Sequence, residues 1–380
     1  MKVYLDNAAT TAMDDRVIEA MLPFMKSHFG NPSSVHSHGR EVRTAIEKSR
    51  KKVAELLNAS PSEIFFTSGG TEADNTALVC GVETYGITHA ISSPIEHHAV
   101  LHTLEVLAQK GTIKLSLLDV NSQGDVDLDQ LESLLKTNPG SLVSLMHANN
   151  EIGNINDLER IGGLAKEYGA FFHSDTVQTM GHYVHDLKNL PVDALVAGAH
   201  KFHGPKGSGF LFVRKEKKIH PFIHGGAQER NMRGGTENVI GIIGVAKALE
   251  LAYEDMAGHR AHIEKIKKHF IEKLTAELPG VVFNGRSGDL GRSLYTVLNV
   301  SLPPSESNRG MLLFNLDLEG ISASGGSACS SGATVGSHVL RALNHNPERD
   351  SVRFSFSRFN TLDEVDYTVS KLKELYTVEV

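Results

Sequence analysis

The sequence predicts an α/β fold: a large part built on a mostly parallel central sheet, with a smaller α+β part towards the C-terminus. Three observations predict it. Six or more short apolar runs of strand length alternate with helical stretches between residues 64 and 213, which argues for parallel strands joined by helices on both faces. Several runs end in polar residues, as strands do when their carboxyl ends face a ligand. Beyond about residue 256 the regular alternation stops, and helices and scattered strands follow. The expected division is a large domain over 14–256 and a small one formed by 1–13 with 257–380.

Bulk properties narrow the class. A chain of 380 residues, 40% hydrophobic and 22% charged, is ordinary for a water-soluble protein with a large core. A net charge of -7 gives no electrostatic reason to expect nucleic acid or a membrane surface as a partner. No run approaches the roughly 18 apolar residues of a spanning helix. The start, Met1 to Asp6, lacks the apolar core of a signal peptide. Two cysteines exclude a disulfide framework and fit a reducing cytoplasm.

The elements follow in order. Small residues at 8–11 allow close backbone approach, or simply turn the chain before a helix over about 15–27. Residues 29–39 read as a polar loop; His36 and His38 lack further ligands at a metal-site spacing. A long amphipathic helix carries Ala45, Ile46, Val53, Leu56 and Leu57. A strand at 64–67 runs into Ser-Gly-Gly-Thr-Glu at 68–72 and then a helix bearing Leu78, Val79 and Cys80. Strand, glycine turn and helix start together suit an anion, because free N–H groups converge there. The same pattern also occurs as a plain cap. Cys80, among apolar neighbours, reads as a packed core thiol.

A strand at 89–93 leads to Glu-His-His-Ala-Val-Leu at 96–101, where His97 stands at a strand-to-helix transition. His98 and His102 lie on one helical face but lack the pattern of a zinc helix, and read as surface residues. Further strands are expected at 114–120 and 142–146, the second ending in Asn-Asn-Glu-Ile-Gly at 149–153, with helices over 127–136 and 157–168. The strand opening at Phe171 delivers Asp175 and Gln178. The run opening at Asp193 delivers Gly198, His200 and Lys201 just before Gly-Pro-Lys-Gly at 204–207. Lys201 alone reads as a solvated lysine. An amine, a carboxylate and a histidine converging at strand ends suit an aldehyde cofactor: the amine binds the aldehyde, and the acid keeps a ring nitrogen protonated.

After the strand at 209–213 comes a glycine-rich stretch over 223–238, long enough to suggest a function. Helices are expected over 239–256 and 259–278, strands near 281–283 and 296–300, and a helix at 310–318. Residues 321–333 are almost all small or polar and surround Cys329, unlike a core cysteine. An exposed thiol in such a loop is an oxidation liability unless it is used. Arg353, on a strand at 351–355, suits a surface ion pair or bidentate capture of a carboxylate.

These motifs, in this order and over nearly the whole chain, resemble the cysteine desulfurases of the NifS/IscS-like group, pyridoxal 5'-phosphate (PLP) enzymes related to class V aminotransferases. The resemblance implies the fold-type I architecture of PLP-dependent transferases. It implies that Gly70 and Thr71 bind the cofactor phosphate, His97 stacks on the ring and relays protons, and Asn150 contacts cofactor and substrate. Asp175 would pair with the ring nitrogen, Gln178 with the ring oxygen, and Lys201 would form the covalent link, with His200 beside it. Thr236 would reach the phosphate of a neighbouring subunit's cofactor, implying a homodimer. Arg353 would hold the carboxylate of L-cysteine, and Cys329 would accept sulfur as a persulfide. That sulfur would pass to an iron–sulfur scaffold or another acceptor protein, making Cys329 a candidate attachment point for a transient cluster. Gly198 departs from the pattern, which has Ser there; a backbone N–H would have to replace the missing hydroxyl. Two rivals remain: another PLP reaction such as transamination or selenocysteine lysis, and a non-catalytic sulfur relay. The Cys329 loop argues against the first, and the Asp175, Gln178, Lys201 set against the second.

Overall fold

The computed structural model describes residues 1–305, 308, 310–325 and 336–377. In chain order the described strands are β1 (Val3–Tyr4), β2 (Ile64–Thr67), β3 (His89–Ser92), β4 (Lys114–Leu117), β5 (Leu142–Ser144), β6 (Phe171–Asp175), β7 (Ala194–Gly198), β8 (Gly209–Val213), β9 (Val282–Phe283), β10 (Val297–Ser301), β11 (Ile321–Ser322) and β12 (Ser351–Ser355).

A seven-stranded sheet in the order β2-β8-β7-β6-β5-β3-β4 forms the centre. Pairing from β7 to β4 is parallel. Only β8 runs against its neighbours β2 and β7, so the mostly parallel expectation holds. Strands β6, β7 and β8 are buried along their whole length, which is why they read as continuous apolar runs rather than alternating ones. One core joins Phe172, Leu195, Phe210 and Phe212 to the helices on one face. Another joins Phe171, Val196 and Leu211 to Leu78, Cys80 and Leu104 on the other.

Local chemistry sets the helix starts. Asp14, Asp127 and Asp157 accept backbone N–H groups at the N-termini of Asp15–Lys26, Leu128–Thr137 and Leu158–Glu167. His36 caps Ser37–Leu56 in the same way through Nδ1. That explains its place in a polar loop, and the helix begins well before Ala45.

A second core gathers Val3 and Leu5 with Ile266, Phe270, Leu298, Phe354 and Val369. The chain start therefore packs on distant segments: β1 lies parallel to β11, and Asp6 bridges Ser355. A three-stranded antiparallel sheet, β12-β10-β9, backs this core. Among the described residues no helix is long and apolar enough to cross a membrane.

Two backbone positions fix the approach to the site. A Cβ on Gly209 would sit 2.2 Å from the Ala197 carbonyl oxygen and 2.9 Å from Gly69 Cα. Only glycine lets β8 pass under the 68–72 turn. Gly69 itself has φ +150°, a conformation that L side chains rarely adopt.

Candidate active site

The carboxyl ends of the parallel strands open into one cavity. Gly70, Thr71, His97, Asn150, Asp175, Gln178, His200, Lys201 and Arg353 line it together with Ala8, Ala9, Asp74, Met146 and Val177. Segments far apart in sequence thus converge where an open parallel sheet places its ligands.

The anion end is the start of the helix Gly70–Asn75, which continues through Thr76–Cys80 and Gly81–Tyr85. A Cβ on Gly70 would lie 2.6 Å from Val177 Cγ2, so at this position only backbone fits, beside the cavity-lining Thr71. A Cβ on Gly198 would lie 3.6 Å from Gly70 N and 3.6 Å from His200 Cδ2, in ordinary contact. The position has room for a hydroxyl that glycine does not supply. Glu72 accepts from Ser68 N at 3.0 Å and pairs with Arg233 at 2.9 Å, bracing the turn.

Lys201 closes the 3-10 turn Ala199–Lys201 after β7. Its Nζ donates to the carbonyl oxygens of Ala8 and Ala9, the latter at 2.9 Å. This is the use of the small N-terminal residues. Asp175 ends β6, and its Oδ1 accepts Val177 N at 2.9 Å. Burial lifts its carboxyl to about 6, opposed by the Val177 hydrogen bond and the Lys201 cation. His97 caps the helix His98–Gln109, with Nδ1 accepting Ala99 N at 3.2 Å. Burial and the nearby Lys201 charge lower it to about 4. It is therefore a neutral ring whose proton sits on Nε2. His200, lowered to about 4 mainly by burial, holds Thr10 Oγ1 at 3.3 Å.

Asn149 makes the turn rather than the site: it donates to Ile95 O at 2.7 Å and accepts Glu151 N and Ile152 N. That leaves Asn150 to line the cavity. Gln178 donates to Ala8 O at 3.1 Å. Arg353, 1% exposed, donates to Asn150 O at 3.0 Å and Asp6 Oδ1 at 2.9 Å. Its Nε is buried with no partner among the described residues.

Thr236 stands apart from this cavity. It is exposed and lines a separate hollow with Ser68, Ser208 and Glu237. Cys329 lies outside the described residues, and with it the candidate cluster attachment. The described chain on either side is tied to Arg353 of the cavity wall and to the buried Glu151 and Glu96 beside it. Ser324 pairs with the Arg353 backbone, Ser337 donates to Glu151, and His338 bonds Glu96 O at 2.9 Å. His98 departs from the expected surface role: it stacks on His102 at 4.4 Å and meets His338 at 4.5 Å. Cys80 is fully buried and its thiol is pushed up to about 12 by burial, the core thiol expected.

The residues fit PLP. A glycine turn beside Thr71 offers backbone N–H groups suited to a phosphate, a buried acid and an amine line the same cavity, and a guanidinium has a nitrogen without a partner. Sequence reasoning did not single out Asp74, Met146 or Val177. Val177 was visible only as the residue between Asp175 and Gln178.

Comparison with known proteins agrees. The aminotransferase class-V family matches over residues 3–368. A cysteine desulfurase IscS from Dictyoglomus turgidum is 45% identical, covering 98% of this chain and 94% of the relative. A solved NifS-like protein superposes with a TM-score of 0.90 at 40% identity, over 99% of both chains. A structure described as SspA in complex with cysteine has a TM-score of 0.81 at 30% identity, covering 95% of this chain and 100% of the other. The chain belongs to the class V aminotransferase family, in its cysteine desulfurase group, whose cofactor is PLP.

Proposed function

We propose the following division of labour for the cysteine desulfurase that this chain is. The observation that carries it is the meeting, in one cavity, of the Lys201 amine, the Asp175 carboxyl and the incompletely paired guanidinium of Arg353.

PLP would be held by Lys201 covalently, by Asp175 at the ring nitrogen, by Gln178 at the ring oxygen and by the Gly70–Thr71 turn at the phosphate, with His200 beside them. Bound there it supplies an electron-withdrawing ring conjugated to the substrate nitrogen. Arg353 takes the substrate carboxylate, with Asn150 beside it. Lys201, as a free base, would move the substrate α-proton. His97, in the cavity wall, would help hold the ring and would donate a proton from Nε2 towards the substrate sulfur. Cys329 thiolate attacks that sulfur: the carbon–sulfur bond breaks, a sulfur–sulfur bond forms, and L-cysteine plus enzyme thiol become L-alanine plus enzyme persulfide. Support for Cys329 comes from the stems on either side: Ser324 pairs with the backbone of the cavity-lining Arg353, and Ser337 with Glu151, next to the cavity-lining Asn150.

The acceptor of that sulfur is an iron–sulfur scaffold or a similar protein, with Cys329 as the point where a cluster is transiently attached. Exposed Thr236 serves the neighbouring subunit in a cytoplasmic homodimer. The second core supports a small domain of 1–13 and 257–380 beside a large one of 14–256.

Mass spectrometry after exposure to L-cysteine tests the assignment. One extra sulfur on Cys329 with equimolar alanine is expected. Alanine release at an unchanged rate from Cys329→Ser would contradict it and favour another PLP reaction.

A further inference from the structure

Three buried carboxyls, Asp74 and Asp175 in the cavity wall and Glu96 behind it, have different surroundings. Asp175 has the Val177 N–H and the Lys201 cation. Glu96, 0% exposed, takes Met146 N at 3.0 Å and the Ser93 hydroxyl at 3.1 Å on a single oxygen. Asp74, 1% exposed, accepts no hydrogen bond at Oδ1. It sits one helical turn after Gly70 and so on the same face. His173 sits two residues before Asp175 on β6, again on one face. Asp74 Oδ1 thereby comes within 3.2 Å of His173 Nε2.

With Asp74 as a carboxylate the contact is no hydrogen bond: Oδ1 and His173 Nε2 are both buried and unpartnered. A protonated Asp74 differs: its O–H rotates and can be aimed at the ring, and Oδ1 no longer carries a buried, uncompensated charge. His173 Nδ1 is 2.9 Å from Ser144 Oγ and, carrying the ring proton, donates there. Nε2 is then a lone pair, and a protonated Asp74 can fill it. Three neighbouring carboxyls in a dry site cannot all ionise, and the one with least support takes the proton first.

We propose that Asp74 is a positioning residue: it carries a proton, donates it to His173, and leaves Asp175 as the carboxyl that bears the charge. The ionisable groups facing it are His173 and Asp175 on β6 and Glu96 from the turn after β3, with Lys201 and His97 elsewhere on the cavity wall. Burial, with the charges of Asp175 and Glu96, holds Asp74 well above the carboxylate range. Burial lowers His173 to about 3, so a neutral pair is favoured over an ion pair. The consequence for the ring nitrogen rests on the desulfurase reading; the protonation itself does not.

Infrared spectroscopy of the cofactor-free protein tests this. With carboxyl-labelled aspartate at pH 8, Asp175 is ionised and Glu96 carries no label. The expected result is a label-sensitive band of a protonated carboxylic acid, lost in Asp74→Asn and moved in His173→Gln. No such band, or a band that survives Asp74→Asn, overturns the proposal. If Asp74→Asn does not fold, wild type and His173→Gln decide by the same band. In PLP-loaded protein, Asp74→Asn should leave the midpoint of the colour change with pH within about 0.3 pH unit, because one neutral group replaces another. A fall of about one pH unit or more would mean that an anion had been removed and would also overturn it. Wild-type protein that never takes up PLP would sink the desulfurase reading and leave the infrared result standing.

Discussion

Arg50 and Arg353 are both almost wholly buried, at 2% and 1% exposure, yet they do different things. Arg50 spends its donors. It donates twice to Glu229, at 2.7 and 2.8 Å, and also to Ile64 O and Glu47. Glu229 in turn accepts Phe66 N at 2.8 Å. The pair fastens the 223–238 stretch to β2, where Glu229, Arg230 and Asn231 are held at positive φ of 42°, 56° and 68°. Arg353 lines the cavity, divides its donors between Asn150 O and Asp6, and keeps a buried Nε without a partner. A completed set of partners marks a structural charge. An uncompleted one beside a cavity marks a place for a ligand.

The comparison breaks most sharply if Arg50 is removed. Arg50→Ala leaves Glu229 buried and unpaired, so stability should fall by about 3–5 kcal/mol, read by denaturant unfolding. Activity per folded molecule should move less than twofold, as Arg50 does not touch the cavity. A stable, inactive variant would erase the distinction.

Arg353→Ala should do the reverse. The loss of a charge-assisted, bidentate partner is worth about 2–3 kcal/mol, so kcat/KM for L-cysteine should fall roughly 100-fold, seen in steady-state alanine release. The cofactor absorbance should persist.

Glu96 extends the contrast to an acid whose partners are too few. Burial lifts it to about 8, against the hydrogen bonds from Met146 and Ser93. The native state then holds a proton that the unfolded state, titrating near 4.5, releases. Native stability from this group is present below about 4.5 and is lost as pH rises to about 8. Glu96→Gln does not titrate, so its stability relative to wild type should improve by roughly 2–4 kcal/mol between pH 5 and 8. A parallel pair of stability-against-pH curves would contradict this.

Gly198→Ser is the smallest expected effect and adds a partner rather than removing one. The space beside Gly70 N admits a hydroxyl. One added hydrogen bond, about 1 kcal/mol, should tighten PLP binding about fivefold, measured by equilibrium titration of cofactor-free protein. Weaker binding would show that the room is already used.

Much of this was legible in the sequence because strand ends are chemically abrupt. The step from Phe171-Phe172 to Asp175, and from Val196-Ala197 to Lys201, marks where a buried sheet meets a cavity. The antiparallel insertion of β8 was not legible, since a fully buried strand reads the same in either direction. Asp74 was hidden for a similar reason. On a helix after a glycine turn, an acid reads as a favourable dipole partner, and nothing local reveals His173 against it. The early start of Ser37–Leu56 was missed because a histidine, not Ser or Asp, caps it. Glu229 read as one polar residue in a loop, and only the fold brings Arg50 to it.

The central claim is that the Lys201 amine holds PLP covalently. Borohydride reduction of the PLP-loaded protein, followed by peptide mapping, measures it directly. The account predicts one permanently attached pyridoxyl group per chain, on Lys201. Attachment at another lysine, or none at all in protein that has bound the cofactor, would contradict it.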